Sequence, residues 1–383
     1  MKKIGILAFV NKDSGGTLQY TQSLIDALYK EKTYQYIIFT DSDTDSINTY
    51  NLEVRKVSVT KLNHIKKFIK GIQLLALIKA PLFESVNKEA YEDIDLFFSP
   101  RVILYTQFFA SKPFILTLHD IQEAYYPEYF SFQLRIMRFI VNRFLCKNAK
   151  KIICESNYVR QDIEKHLKIN KDKIIVIPAP PPIQLLNIII DEKEKSIIKG
   201  KYNLPDNYIF YPASFWPHKN HIKLIEAFNL VLKRNKNIYL VLSGAKQNNY
   251  LNVINHINKM NLDKRIILIG YIDYKDLPYL FSMSQVMVMP SLFESISIPI
   301  YEAFALKVPV CASNVVAIPE QVGDAGVLFN PNDKKDIADK LCQLLEDNDL
   351  QQILKLKGIE RIKGYSHLEY TSNLLFIINK IIN

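Results

Sequence analysis

PSLFESISIPIYEAFALKVPVCASNVVAIPEQVGDAGVLFN, residues 290–330, is the stretch whose reading decides the fold. The apolar run Val286-Met287-Val288-Met289 just before it is bounded by polar residues and Pro290, which marks the end of a buried strand. A polar loop carrying Glu294 follows. Pro299 then suits the first turn of a helix over residues 300–306, because its fixed φ is helical and its missing N–H has no partner to lose there. Strand, polar loop and helix N-terminus in this order bind phosphate in α/β proteins, since unpaired N–H groups and the positive end of the helix dipole converge on one point. The spacing places an anion at Ser295, Ile296, Ser297 and Ile298. Glu294 and Glu302 flank that point with seven residues between them. Carboxylates do not bind phosphate but accept hydrogen bonds from sugar or ribose hydroxyls, so the combination indicates a sugar nucleotide. Spacing alone equally fits a helix-start acid complementing the dipole and a solvated loop acid.

The residues around this pattern resemble the donor-site signature of family-4 retaining glycosyltransferases. The matching strings are Phe293-Glu294-Ser295, Pro299, Glu302-Ala303-Phe304-Ala305, Val308-Pro309-Val310, Ala312-Ser313-Asn314, Pro319-Glu320 and Gly323-Asp324-Ala325-Gly326. The resemblance is strong over residues 211–330 and looser over residues 4–177. It implies the GT-B architecture, two Rossmann-like, doubly wound α/β domains facing each other across a cleft. It also implies retaining transfer of a hexose from a nucleotide diphosphate sugar to an acceptor hydroxyl on a surface polysaccharide, lipopolysaccharide or lipid-linked glycan. The strings Phe215-Trp216-Pro217-His218-Lys219-Asn220-His221 and Tyr126-Pro127-Glu128 are similar to those of family-4 mannosyltransferases, which makes mannose from GDP-mannose the first donor expected, with glucose, galactose and N-acetylated donors open. A sugar-nucleotide epimerase of the same fold and a non-catalytic sugar-nucleotide-binding subunit are the alternatives.

A chain of 383 residues exceeds what one hydrophobic core usually serves, so two domains are expected. With 48% hydrophobic and 23% charged residues the composition is globular. Cys146, Cys154, Cys311 and Cys342 show no metal-ligand spacing and each lies in an apolar segment, as buried thiols in a reducing cytoplasm do. The apolar start MKKIGILAFV breaks at Asn11-Lys12-Asp13 without a small-residue cleavage site and reads as a first strand, not a secretion signal. No apolar run is long enough to span a bilayer. The net charge of +10 points to phosphorylated substrates and an anionic membrane surface. Nucleic acid is not expected, since no DNA- or RNA-binding motif organises that charge. The expected location is the cytoplasm, with peripheral attachment to the inner face of the cytoplasmic membrane.

Taken in order, residues 4–10 read as a strand, residues 11–17 as a loop containing Gly15 and Gly16, and residues 18–29 as an amphipathic helix. This is a Rossmann-like opening without the G-x-G-x-x-G fingerprint. Family resemblance puts its loop near the donor's phosphates. Asp41-Ser42-Asp43-Thr44-Asp45 contains acid-x-acid spacing, but clustered Asp, Ser and Thr are ordinary loop chemistry, and no metal is assigned. Residues 61–81 and 130–151 each read as a basic amphipathic helix; each alone fits a core-facing helix with a basic polar face better than an anionic membrane, and the two together strengthen the membrane reading. Residues 114–118 form a strand ending at His119, which either donates to a nearby carbonyl or points into a ligand crevice. In the family this histidine sits at the reacting sugar.

The run Pro178-Ala179-Pro180-Pro181-Pro182 can continue neither helix nor central strand and marks the domain boundary. The expected division is an acceptor-binding domain over 1–180, a donor-binding domain over 181–364, and a C-terminal helix over 365–383 packing back on the first. In the second domain a strand over residues 208–213 leads to the loop holding Ser214 and Lys219, a lysine placed to meet an anion before a helix. The resemblance matches Pro217-His218-Lys219-Asn220 to a family element and puts Tyr271 beside the nucleotide base. Two departures stand out: Ser214 where the family often has arginine or glutamine, and Ser297 where it commonly has glycine. By resemblance, Lys219 and the amides from Ser295 to Ile298 meet the departing diphosphate, Glu294 the transferred sugar and Glu302 the ribose. His119 and Gly16 then close the site from the first domain, and no metal or other cofactor is called for.

Overall fold

The computed structural model describes residues 1–10, 15–41, 43, 45, 47–57, 88–103, 112–186 and 188–382. The expected basic helix over 61–81, the loop residues 11–14, and Ser42 and Thr44 of the acidic loop lie outside the described residues. The described elements are numbered here in chain order. Two compact units emerge, Met1–Ala179 with His367–Asn383, and Pro180–Ser366.

Unit 1 is built on a parallel sheet of β1 (Lys3–Leu7), β2 (Gln35–Thr40), β3 (Glu53–Lys56), β4 (Leu96–Ser99), β5 (Phe114–Thr117), β6 (Lys151–Cys154) and β7 (Ile174–Val176), in the order β3-β2-β1-β4-β5-β6-β7. Its helices are α1 (Gly16–Leu28), α2 (Phe132–Asn148), α3 (Asn157–Leu167) and the chain's last helix. A parallel sheet is covered on both faces, so its central strands are apolar throughout rather than alternating. The period of two still sorts the side chains. Ile4, Ile6, Ile38, Phe98 and Ile153 pack under α1 and the last helix, while Leu7, Ile37, Phe39, Phe97 and Ile152 pack under α2 and α3. Gly5 makes that second layer possible: a Cβ there would lie 2.5 Å from the Phe97 ring. β3, EVRK, is mostly exposed at the sheet edge, where charge discourages further pairing.

Unit 2 repeats the plan with β8 (Tyr208–Pro212), β9 (Tyr239–Ser243), β10 (Ile266–Leu268), β11 (Val286–Met289), β12 (Val310–Ser313) and β13 (Gly326–Phe329), ordered β10-β9-β8-β11-β12-β13 and all parallel. Its helices are α4 (Glu192–Lys201), α5 (His221–Arg234), α6 (Tyr250–Lys259), α7 (Leu277–Met283), α8 (Ile298–Ala305), α9 (Ile318–Val322), α10 (Lys334–Glu346) and α11 (Asn348–Lys363). Asp191, Asp333 and Asp347 start α4, α10 and α11 by accepting first-turn N–H groups, as N-cap carboxylates do. The last helix, α12 (His367–Ile382), belongs to unit 1, where Thr371 Oγ1 donates to the Ala27 carbonyl of α1 at 3.3 Å and Tyr34 bonds Asn379.

In each sheet the strand order reverses once, between β1 and β4 and between β8 and β11. Loops leaving the carboxyl ends of such a pair diverge to opposite faces and open a crevice, which is where open α/β sheets bind ligands. All four cysteines are free and buried, and among the described residues no helix is long and apolar enough to cross a membrane.

Candidate active site

The two strands at the switch point of unit 2 feed two loops. After β8 the chain passes Ser214 and a short 3-10 turn, Pro217–Lys219, into α5; after β11 residues 290–297 lead into α8. Two hydrogen bonds lock the loops together and two more brace them. Leu292 N–H donates to the His218 carbonyl at 2.8 Å. Asn220 adopts φ 58°, a conformation asparagine tolerates better than most residues, and its Nδ2 donates to the carbonyls of Pro290 at 3.0 Å and Pro331 at 2.9 Å. Tyr211 from β8 donates its hydroxyl to the Lys219 carbonyl at 2.8 Å.

The lock brings Lys219 Nζ to 2.5 Å from Glu294 Oε1, with both side chains largely sheltered. The sequence reading assigned these residues to separate parts of a ligand. The structure makes each the counterion of the other, so neither can be removed without stranding its partner's charge.

α8 begins at Ile298 with Pro299 in its first turn and Ser297 as N-cap. Ser297 has φ −118°, an extended conformation, so serine in place of glycine is unstrained. Its amide, however, is not free for an anion as the sequence reading supposed. The Ser297 N–H donates to Gln321 Oε1 at 2.8 Å, while Gln321 Nε2 donates to the Ser297 carbonyl at 2.7 Å. Glu302 lies past the first turn and is 2% exposed, so it is neither a solvated residue nor a helix-start acid. Its Oε1 is buried with no hydrogen-bond partner among the described residues, and burial pushes the carboxyl up to about 8. A buried acceptor without a donor is the kind of gap a ligand hydroxyl fills. Ser297 Oγ is buried and unpartnered in the same way.

Gly244 and Gly270 shape the neighbouring strand ends. The Gly244 N–H donates to the Gly270 carbonyl at 2.8 Å. Gly244 has φ +142°, and a Cβ on it would sit 2.4 Å from the Ala213 carbonyl oxygen, so only glycine fits. Half-buried Ser214 follows Ala213 on this edge, and Tyr271 follows Gly270 with 72% of its surface exposed.

In unit 1, Gly15 caps α1 at φ 53° and Gly16 is its first residue, so the helix starts two residues before the expected Leu18. His119 does follow β5, but both ring nitrogens are engaged within the unit. Nε2 lies 2.9 Å from the Pro100 carbonyl and Nδ1 2.7 Å from Glu155 Oε2, and the edge of the ring meets Tyr20 at 4.8 Å between centroids. A carbonyl and a carboxylate only accept, so this arrangement favours the doubly protonated ring. Burial opposes that charge, but the Glu155 carboxylate outweighs it and the pKa is raised. Both His119 nitrogens are thus engaged within unit 1, with the side chain half-buried and that of Glu155 buried.

The basic helix expected over 130–151 is α2, and its two halves differ. Val141, Phe144, Leu145 and Cys146 enter the core, whereas Phe132, Ile136, Met137 and Phe139 are exposed, Phe132 by 70%. Two of its cations face inward: Arg138 pairs with Glu123 at 2.9 Å and Asp120 at 3.2 Å, and Arg143 donates to the Leu167 carbonyl at 2.7 Å. In the acidic loop, Asp43 pairs with Lys56 at 2.5 Å.

The sequence reading missed Gln321 and Glu155, which nothing local marks; Asn220 was matched as part of a family element, but its bonds to Pro290 and Pro331 were not foreseen.

Residues 14–180 match the family model described as Glycosyltransferase Family 4, and residues 192–361 match that described as Glycosyl transferases group 1. The chain is 30% identical over 264 residues to O-antigen chain mannosyltransferase B of Escherichia coli, a match covering 66% of each chain. It is 26% identical over 225 residues to O-antigen chain mannosyltransferase RfbU of Salmonella typhimurium, covering 57% of each. The matched region thus spans less than two thirds of either relative's length. Among solved structures, a glycosyltransferase from Rickettsia africae superposes with a TM-score of 0.74 at 19% identity, covering 100% of this chain and 99% of that one. The two parallel-sheet α/β units have the GT-B fold, and the chain belongs to the glycosyltransferases, its first half to family 4 and its second half to group 1.

Proposed function

We propose that this chain transfers a hexose, with retention at the anomeric carbon, from a nucleotide diphosphate sugar to a glycan or lipid-linked glycan acceptor. The observation that carries the reading is the unit 2 switch point, where the Lys219–Glu294 pair lies beside α8, whose buried Glu302 has an unpartnered oxygen. Breaking the anomeric bond puts negative charge on the diphosphate and positive charge on the sugar, and preorganised groups must meet both. Lys219, together with the amides of Ser295, Ile296 and Ile298 at the positive end of α8, receives the diphosphate. Once Lys219 turns to phosphate, Glu294 is released toward the transferred sugar. Glu302 accepts from the ribose hydroxyls, Ser214 and Tyr271 border the nucleotide, and Gly15 and Gly16 open α1 of unit 1. His119, held by Glu155 and the Pro100 carbonyl, follows β5 in the same unit. Charge comes from lysine and a helix terminus, so no divalent metal is required.

Mannose from GDP-mannose is the proposed donor, supported by the two mannosyltransferase relatives. The exposed apolar start of α2, with Arg135 among Phe132, Ile136 and Phe139, supports peripheral attachment to an anionic membrane on the cytoplasmic side. The test is incubation with GDP-mannose and a panel of other nucleotide sugars, with and without a lipid-linked oligosaccharide acceptor. Acceptor-dependent release of nucleoside diphosphate and an α-linked product support the proposal. A changed sugar stereocentre without release indicates an epimerase, and binding with neither outcome indicates a non-catalytic subunit.

A further inference from the structure

We propose that Gln321 is the positioning residue of the donor loop: it fixes Ser297 and thereby the direction in which the α8 N-terminus presents its amides to a diphosphate. The inference rests on the donor reading of unit 2. Gln321 is 4% exposed, and its two amide atoms bond the N–H and the carbonyl of one residue, Ser297, at 2.8 and 2.7 Å. The side chain is buried with both amide atoms turned to Ser297, so Gln321 acts through Ser297 rather than by contact. Holding both backbone groups of one residue restricts its φ and ψ together, and Ser297 is the joint between the loop and α8.

Gln321 is itself braced. Its helix α9 is one turn long and ends at Gly323, whose φ of +56° leaves room for Arg361 from α11; a Cβ there would come within 3.2 Å of the guanidinium carbon. Arg361 Nε donates to the Gln321 carbonyl at 3.1 Å, and its NH2 donates to the Glu320 carbonyl, satisfying the end of α9. The guanidinium also lies 5.7 Å from the Tyr365 ring, and Tyr365 packs on Tyr301 at 5.1 Å, one residue before Glu302. The contacts run from the α8 N-terminus through Gln321, Arg361 and Tyr365 and back to the body of α8. This frame fixes the α8 N-terminus through Ser297 and braces it against the body of α8.

The test compares Gln321→Leu and Gln321→Glu with the parent enzyme. In Gln321→Leu, turnover per folded molecule should fall on the order of 10²-fold, the scale of a misplacement of about 1 Å. Nucleoside diphosphate should bind more weakly, while the phosphate-free nucleoside keeps its affinity within about twofold, because the frame acts on the phosphate side. In Gln321→Glu, an ionised carboxylate can accept from the Ser297 N–H but cannot donate to its carbonyl, whereas the protonated acid can do both. Its turnover should recover as pH falls, in a limb the parent lacks. Variants that melt earlier yet turn over within about twofold of the parent, with unchanged phosphate and nucleoside affinities, would reduce Gln321 to a purely structural residue and overturn the proposal. A parent enzyme that binds no nucleoside diphosphate overturns the donor reading and this inference with it.

Discussion

Nucleotide binding should expel a proton from Glu302, and Glu302→Gln should abolish that release. The carboxyl is buried, one of its oxygens has no partner among the described residues, and burial pushes its pKa up to about 8 from the ordinary 4.5. At pH 7 about 0.9 of the unliganded molecules would therefore carry the proton. Ribose hydroxyls donating to the carboxylate favour its charged form, so binding ionises it and releases about 0.9 proton per nucleotide at pH 7, declining toward zero by about pH 9. The same shift sets a stability trend. A group whose folded pKa lies above its unfolded value contributes stability that is complete below the unfolded value and is lost as pH rises through the folded one. From pH 4.5 to pH 7 that loss is about 3 kcal/mol, at 1.36 kcal/mol per pKa unit. Calorimetric titration of nucleoside diphosphate in buffers of different ionisation enthalpy measures the released proton. Chemical unfolding of parent and Glu302→Gln between pH 5 and pH 8 measures the trend, and the stability advantage of the variant should widen with pH. Absence of proton release in the parent at pH 7, or equal release in the variant, would refute the reasoning.

Lys219→Ala should lower kcat by about 10²–10³, the scale of removing one preorganised donor to a developing anion, as steady-state kinetics will show. Glu294→Ala should impair turnover while leaving nucleoside diphosphate affinity near that of the parent; because the two residues are paired, the double variant should be less impaired than the product of the single effects. Gly244→Ala, which forces a Cβ against the Ala213 carbonyl at φ +142°, should destabilise unit 2 by about 2–4 kcal/mol in chemical unfolding. Activity should persist in chelator; complete loss restored by manganese would overturn the assignment of diphosphate charge to Lys219 and α8. Flotation with anionic vesicles should be salt-sensitive, since such attraction is screened over about 10 Å at 0.1 M salt, and should weaken in Phe132→Ser with Phe139→Ser. Equal binding to neutral vesicles would count against it.

Much of this molecule is written locally. Short apolar runs and a proline at a helix start reveal β1, β2, β5 to β11 and the start of α8, because each depends on residues within one turn or one strand. Others escaped. β4 is a four-residue run, LFFS, too short to show any period, and β3 is a polar strand at the sheet edge, paired with β2. The candidate site divides along the same line. Glu294, Lys219 and Glu302 could be singled out from their places in a strand–loop–helix pattern and from family resemblance. Their states could not. The 2.5 Å pair between Lys219 and Glu294 exists because β8 and β11, far apart in sequence, are neighbours in the sheet. His119 carried a residue type and a position, but its buried ion pair with Glu155 required β5 to lie beside β6. Gln321 meets Ser297 only because α9 and α8 leave adjacent strands, β12 and β11, at the same edge. Backbone preference and hydrophobic period act over a few residues and can be read from sequence. Charge state, hydrogen-bond partner and burial depend on which strands the sheet order makes adjacent, and only the tertiary structure determines that.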